Sequence, residues 1–211
     1  MRLLLVRHTR PRVLPGICYG RTDLDLADSF VQEAEGLMRR LGDLSGAALY
    51  SSPLRRCARL AHRLGEPCFD ERLREMDFGG WESRRWAEID RAEIDAWAAD
   101  LADWRPPGGE TVREVAERAL GFVTEQRRRG VGQICAVTHN GVIRTLCAAL
   151  WQQPLSEAGV LDLPFASALD LRLEADGARV HAVHADGPVR LPSWMQPRPV
   201  SETAPARSEA A

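Results

Sequence analysis

Two histidines, His8 and His139, each follow directly on a short aliphatic run, Leu3-Leu4-Leu5-Val6-Arg7 in one case and Ile134-Cys135-Ala136-Val137-Thr138 in the other. Such runs read as buried strands, and ligands of an open α/β sheet bind beyond the carboxyl ends of its strands. A third strand end is expected at Ser51-Ser52, where the next helix carries Arg55 and Arg56 in its first turns. With Arg7 beside His8, this set combines two imidazoles, several guanidinium groups and helix N-termini with unpaired N–H groups. It suits a tetrahedral phosphoryl anion. A neutral imidazole is a competent nucleophile toward phosphorus, and fixed guanidiniums stabilise the charge that builds on the non-bridging oxygens. The departing oxygen needs a proton, and segment 73–82 offers Glu75, Asp77 and Glu82 as the acid.

The elements that must position these groups are legible in the hydrophobic pattern. Strands are expected at 2–7, 46–50, 67–69 and 133–138, with a closing hairpin of 168–173 and 179–184 around Asp176-Gly177. Helices are expected at 27–41, from Pro53 to about 64 with Ser52 as N-cap, through a Trp-rich region at 83–103, at 112–128 and at 142–151. Strands alternating with helices predict an α/β domain, a three-layer sandwich with a mixed, mostly parallel sheet flanked by helices. One domain is expected over 1–191, and the Pro-rich stretch 192–211 reads as a mobile tail.

Composition narrows the function classes. The 211 residues carry a net charge of −2, so no global field favours nucleic acid, and no run is long and apolar enough for a membrane span. The apolar start is shorter than a secretory h-region, and the five cysteines have no metal-type spacing, which points to reduced thiols in a cytoplasm. A zinc set of His8, His139 and Glu75 is disfavoured. Neighbouring guanidiniums repel a dication, and no His-x-x-x-His or Cys-x-x-Cys pair is present. Neither metal nor organic cofactor is expected, and the chain is compatible with a monomer or a homodimer.

Five segments, in order, resemble the histidine phosphatase superfamily, the phosphoglycerate mutase-like proteins. They are Leu5-Val6-Arg7-His8-Thr9, Ser51-Ser52-Pro53-Leu54-Arg55-Arg56-Cys57, residues 73–82, Pro107-Gly108-Gly109-Glu110-Thr111 and Val137-Thr138-His139-Asn140-Gly141. The resemblance spans residue 3 to about 185 and implies a small helical cap at 83–107 over the site. It further implies that His8 is the phosphorylated nucleophile, that Arg7 and Arg56 bind phosphate, that Glu75 is the proton donor, and that His139 holds phosphoryl oxygens beside His8. Thr9 and Asn140 stand where the family commonly has Gly. The family's Asn after the first motif is missing, its place falling near Pro15-Gly16. Thr22 and Asn140 are therefore carried as candidate phosphate ligands. Segment 15–23 is similar to the α-ribazole phosphatase branch, which implies α-ribazole 5′-phosphate and cobalamin assembly. A phosphoglycerate mutase, another small-molecule phosphatase and an inactive phosphate-binding scaffold are the competing readings.

Other residues have plainer readings. Trp81, Trp86, Trp97 and Trp104 either pack the inserted helices or line a substrate lid. Glu110-Thr111 either caps helix 112–128 or serves the pocket from behind. Arg127-Arg128-Arg129 complements a helix dipole, and His62, His181 and His184 carry no assigned role.

Overall fold

A computed structural model describes residues 1–196. Six strands form one sheet: β1 (Arg2–Arg7), β2 (Ala48–Ser51), β3 (Cys68–Phe69), β4 (Gln133–Thr138), β5 (Ser167–Glu174) and β6 (Gly177–His184), in the spatial order β3-β2-β4-β1-β5-β6. The four strands from β3 to β1 run parallel, and β5 and β6 close the sheet antiparallel. The mixed, mostly parallel α/β sandwich expected from the pattern is the fold found.

The alternation of side chains along β1 sorts the core into two layers. Leu3 and Leu5 join Ile134 and Ala136 of β4 under helices α4 (Val112–Arg128) and α5 (Asn140–Leu150). Leu4 and Val6 join Cys135 and Val137 under α1 (Phe30–Leu41) and α2 (Arg55–Leu64). Because both faces are covered, these strands read as continuous apolar runs. α4 starts at a capping box in which Thr111 and Glu114 satisfy each other's backbone N–H groups.

Three local expectations are corrected. The region 83–103 is only partly α-helical, with a short 3₁₀ turn at Trp86–Glu88 and α3 (Arg91–Ala99). Its first residues cannot start a helix because Ser83 has a positive φ of 67° and the backbone is engaged elsewhere. The Ser83 N–H donates to the Cys18 carbonyl at 2.8 Å and the Trp86 N–H to the Gly16 carbonyl at 2.9 Å. α2 starts at Arg55 rather than Pro53, and its cap comes from another loop: the Asp23 carboxylate accepts the Arg55 N–H at 2.7 Å. α5 starts two residues early, which puts His139 at its N-cap position.

Trp81, Cys18 and Ile89 centre a third cluster with Phe78, Trp86, Ile94, Trp97 and Trp104 packed around it. Residues 192–196, the start of the segment expected as a mobile tail, pack against the main core through Met195, which is 3% exposed. The rest of that segment, 197–211, lies outside the described residues.

Phe122 of α4 is fully buried, edge to face with Tyr50 at 5.1 Å between centroids. Phe122→Ala is expected to cost about 3–5 kcal/mol by urea unfolding; a cost under about 1 kcal/mol would show that α4 is not seated on the sheet as described.

Candidate active site

The parallel register of β1 and β4 pairs Arg7 with Thr138, so the next residue on each strand is a histidine. The His8 N–H continues the ladder, donating to the Thr138 carbonyl at 3.1 Å. The two rings meet edge to face with centroids 5.0 Å apart. His8 Nδ1 lies 2.7 Å from the Thr9 carbonyl oxygen, which can only accept. Nδ1 therefore carries the proton, and Nε2 presents its lone pair. Burial first, then the charge of Arg56, holds the His8 pKa well below 6.5, with Arg7 adding and the Thr9 hydrogen bond opposing. The ring is neutral at physiological pH.

His139 is fully buried and has both nitrogens engaged. Nδ1 accepts from Arg56 Nε at 3.2 Å, so Nε2 bears the proton and donates to the Ser52 hydroxyl at 2.9 Å. Ser52, expected as a helix cap, is thus tied to His139. Its oxygen also accepts the Leu54 N–H at 3.3 Å. Burial, followed by Arg56, His8, Arg118 and Arg7, keeps the His139 pKa well below 6.5.

Arg56 is 0% exposed. Besides His139 it donates to the Thr22 carbonyl at 2.9 Å and the Gly20 carbonyl at 2.6 Å, which leaves two of a guanidinium's five donors. Gly20 must be glycine for this approach, since a Cβ there would collide with the Met76 carbonyl and lie 2.8 Å from Phe78. Arg7 lies 4.0 Å over the Phe165 ring and donates to the Leu163 carbonyl, while its buried Nε–H has no partner. Arg55, by contrast, is an exposed cation paired with Asp25 and Asp23.

Of the three candidate carboxyls, Glu75 alone lines the cavity beside His8. Its oxygens accept the Met76 N–H at 3.0 Å and, at the first turn of α5, the Gly141 N–H at 3.2 Å. Asp77 accepts the Gly79 N–H at 2.8 Å and lies 3.6 Å from Arg21. Glu82 clasps the 20–22 loop. Burial alone would raise its pKa, but the Thr22 hydroxyl and the N–H groups of Arg21, Phe78 and Thr22 prevail and lower it. The Thr22 hydroxyl, expected as a phosphate ligand, is turned to Glu82, and Thr22 does not line the cavity. Asn140 does line the cavity, but its amide oxygen, oriented to satisfy its neighbours, accepts from Arg144 at 3.1 Å.

The cavity holds about 320 Å³. Arg7, His8, Tyr19, Glu75 and Asn140 make its polar end; Ile17, Met76, Phe78, Trp86, Trp97 and Leu101 form much of its apolar wall. The tryptophans therefore divide. Trp86 and Trp97, stacked 6.1 Å apart, line the cavity, whereas Trp81 is buried and stacks on Trp104. Sequence reasoning missed Tyr19, although it flagged its segment, and missed Arg118, whose partners carry no sequence signal. Glu110 does not cap α4. It receives Arg21 at 2.7 Å, Arg118 at 3.0 Å and the Asp77 N–H at 3.0 Å. Among the described residues no cluster of three His, Cys, Asp or Glu has metal-binding proximity, and no helix is long and apolar enough to cross a membrane.

Comparison with known proteins places the chain in a family. A family model described as the histidine phosphatase superfamily (branch 1) matches residues 3–186. A glucosyl-3-phosphoglycerate phosphatase of Mycolicibacterium vanbaalenii is 34% identical over 176 residues, covering 76% of this chain and 78% of that protein. The structure of a mycobacterial glucosyl-3-phosphoglycerate phosphatase superposes with a TM-score of 0.78 at 27% identity, over 88% of this chain and 99% of that one. An α-ribazole phosphatase of Shigella flexneri shares the fold, with a TM-score of 0.77 at 24% identity over 89% and 98% of the two chains.

Two outcomes follow from the site's geometry. A Cβ on Gly141 would come within 3.0 Å of the Glu75 carboxyl carbon. Gly141→Ala should therefore displace that carboxyl and lower turnover at least about tenfold, while helix propensity leaves the melting temperature unchanged or slightly raised. Unaltered turnover would show that Glu75 need not sit where it does. Both buried histidines stay neutral when folded but protonate near 6.5 when unfolded. The unfolded chain then binds more protons, so unfolding free energy should fall as pH drops below about 6.5, by at most about 1.4 kcal/mol per pH unit for each histidine. Denaturant titrations of the wild type and His139→Gln from pH 7.5 to 5 measure this slope, which the substitution should reduce.

Proposed function

The chain belongs to the histidine phosphatase superfamily and is a phosphatase, and from that premise we propose that it hydrolyses phosphate monoesters through a phosphohistidine on His8. The observation that carries this reading is the His8 ring: neutral, with Nδ1–H fixed on a carbonyl and Nε2 free beside Arg7, Arg56 and Glu75. In the first step Nε2 attacks phosphorus in line, the bond from phosphorus to the ester oxygen breaks, and the Glu75 carboxyl protonates the departing alkoxide. Arg7, which lines the cavity, and the two remaining donors of Arg56 take the non-bridging oxygens. His139 offers its Nε2–H to an oxygen by exchanging its Ser52 partner. In the second step water, giving its proton to Glu75, attacks phosphorus; the P–N bond breaks and His8 regains its lone pair. The balance closes with no metal and no organic cofactor.

For the natural substrate we favour α-ribazole 5′-phosphate, on the likeness of segment 15–23 to that branch and on the cavity wall. A planar, apolar heterocycle suits a surface made by Trp86, Trp97, Phe78, Ile17 and Met76. A second reading, glucosyl-3-phosphoglycerate, rests on the 34% identical relative of that name. Arg144 is the cation a carboxylate would meet, but it is held by Asp162 at 2.7 Å. The five free cysteines agree with a reducing compartment, the cytoplasm. Residues 83–107, the expected cap, supply Trp86, Trp97 and Leu101 to the cavity wall and thus act on the leaving group rather than on the phosphate.

Phosphate release across ribazole, glucosyl-glycerate, sugar and nucleotide phosphates should give the highest kcat/KM for α-ribazole 5′-phosphate, and His8→Ala should abolish turnover. Activity that survives His8→Ala ends the mechanism; preference for a polar glycerate ester ends the substrate assignment alone. Phosphate release without added bisphosphoglycerate separates hydrolysis from mutase chemistry.

A further inference from the structure

The segment that carries Glu75 belongs to neither sheet nor α-helix from Arg74 to Phe78, so its buried backbone groups need partners from elsewhere. Two of its carbonyls, those of Arg74 and Glu75, find them in one side chain. Arg118 of α4 donates from Nη1 to the Arg72 and Arg74 carbonyls, both at 2.7 Å, and from Nη2 to the Glu75 carbonyl at 3.1 Å. Its other two N–H groups go to Glu110, from Nε at 3.1 Å and from Nη2 at 3.0 Å. All five guanidinium donors are thus engaged in a half-buried clamp. Glu110 holds the far end of the same segment. It accepts the Asp77 N–H through its side chain, and its own N–H donates to the Asp77 carbonyl at 2.8 Å. The Leu73 carbonyl is taken by the Thr138 hydroxyl at 2.7 Å, one residue before His139.

We propose that Arg118 is a positioning residue for the reaction: with Glu110 it fixes the backbone of Glu75 so that the carboxyl stays within proton-transfer reach of the leaving oxygen. This rests on the reading of Glu75 as the acid. A proton donor held by backbone contacts to within a few tenths of an ångström is worth more than one that merely lies nearby. Lysine cannot replace the arginine, because a single ammonium with three donors cannot span three carbonyls and a carboxylate in a fixed plane.

The test uses leaving-group dependence of kcat/KM, which reports transfer of the phosphoryl group to the enzyme. An alkyl phosphate needs a proton on its departing oxygen; 4-nitrophenyl phosphate needs little help. Glu75→Gln should lower kcat/KM by about 100-fold or more for the alkyl ester and by under about tenfold for the aryl ester. Arg118→Lys should show the same selectivity on a smaller scale, about tenfold against under about threefold. Glu110→Gln, which keeps the Arg118 contacts to the carbonyls, should fall in the same direction and decides the matter if Arg118→Lys unfolds in a melting experiment. Equal losses on both esters in folded Arg118→Lys or Glu110→Gln, or no loss, overturn the positioning role while a selective Glu75→Gln leaves the acid assignment standing. A Glu75→Gln variant without selectivity overturns the acid assignment, and the positioning role with it.

Discussion

The site is organised around a buried positive charge that has no counter-ion. Arg56 is fully enclosed, and its partners are one imidazole nitrogen and two carbonyl oxygens. Among the described residues neither it nor Arg7 has a carboxylate within ion-pair distance. Removing a guanidinium from water without a charged partner is costly, and the surrounding fold offsets that cost with carbonyl acceptors from the 20–22 loop and a histidine nitrogen. Burial first, and then this same charge, keeps both histidines neutral. The proposed nucleophile and the proposed anion site thus share one enclosed, positively charged setting.

How much of this was legible in the sequence depends on what each residue needs around it. The sheet and the two strand-end histidines follow from apolar periodicity and from chain direction, both local properties. Arg56 was separable from Arg55 only by resemblance, since both lie in the first turn of one helix and differ in the face they present. The proposed acid was not separable at all on residue type. Glu75, Asp77 and Glu82 differ in how many N–H groups already surround them, a property of folded loops. The place of the Thr22 hydroxyl was hidden for the same reason: Glu82 accepts it. The Trp-rich region looked more helical than it is because its backbone N–H groups are claimed by residues 16–18, far away in the chain. Arg118 gave no signal, because carbonyl oxygens are common to every residue.

The loops over the site show a consistent division. Residues 16–22 and 77–84 are stitched together through Cys18 and Glu82, with no room for a side chain at Gly20. This seam carries Tyr19 and Ile17 to one side of the cavity and leaves Trp86 and Trp97, on the neighbouring 3₁₀ turn and α3, to form the other. Arg7, His8 and Glu75 therefore supply polar groups to the cavity, and Trp86 and Trp97 bound it through side-chain packing.

The register that pairs Arg7 with Thr138 has a broader consequence. Adjacent strands in any sheet lie about 4.8 Å apart, so the backbone sets the spacing from which the two imidazoles project, and the contacts to Thr9, Arg56 and Ser52 then orient the rings. The aromatic wall belongs to a separate cluster with its own small core. Diversification of such a scaffold is thereby uncoupled: new leaving groups can be accommodated by redrawing that wall, while the reactive pair keeps a ruler that ordinary substitutions do not alter.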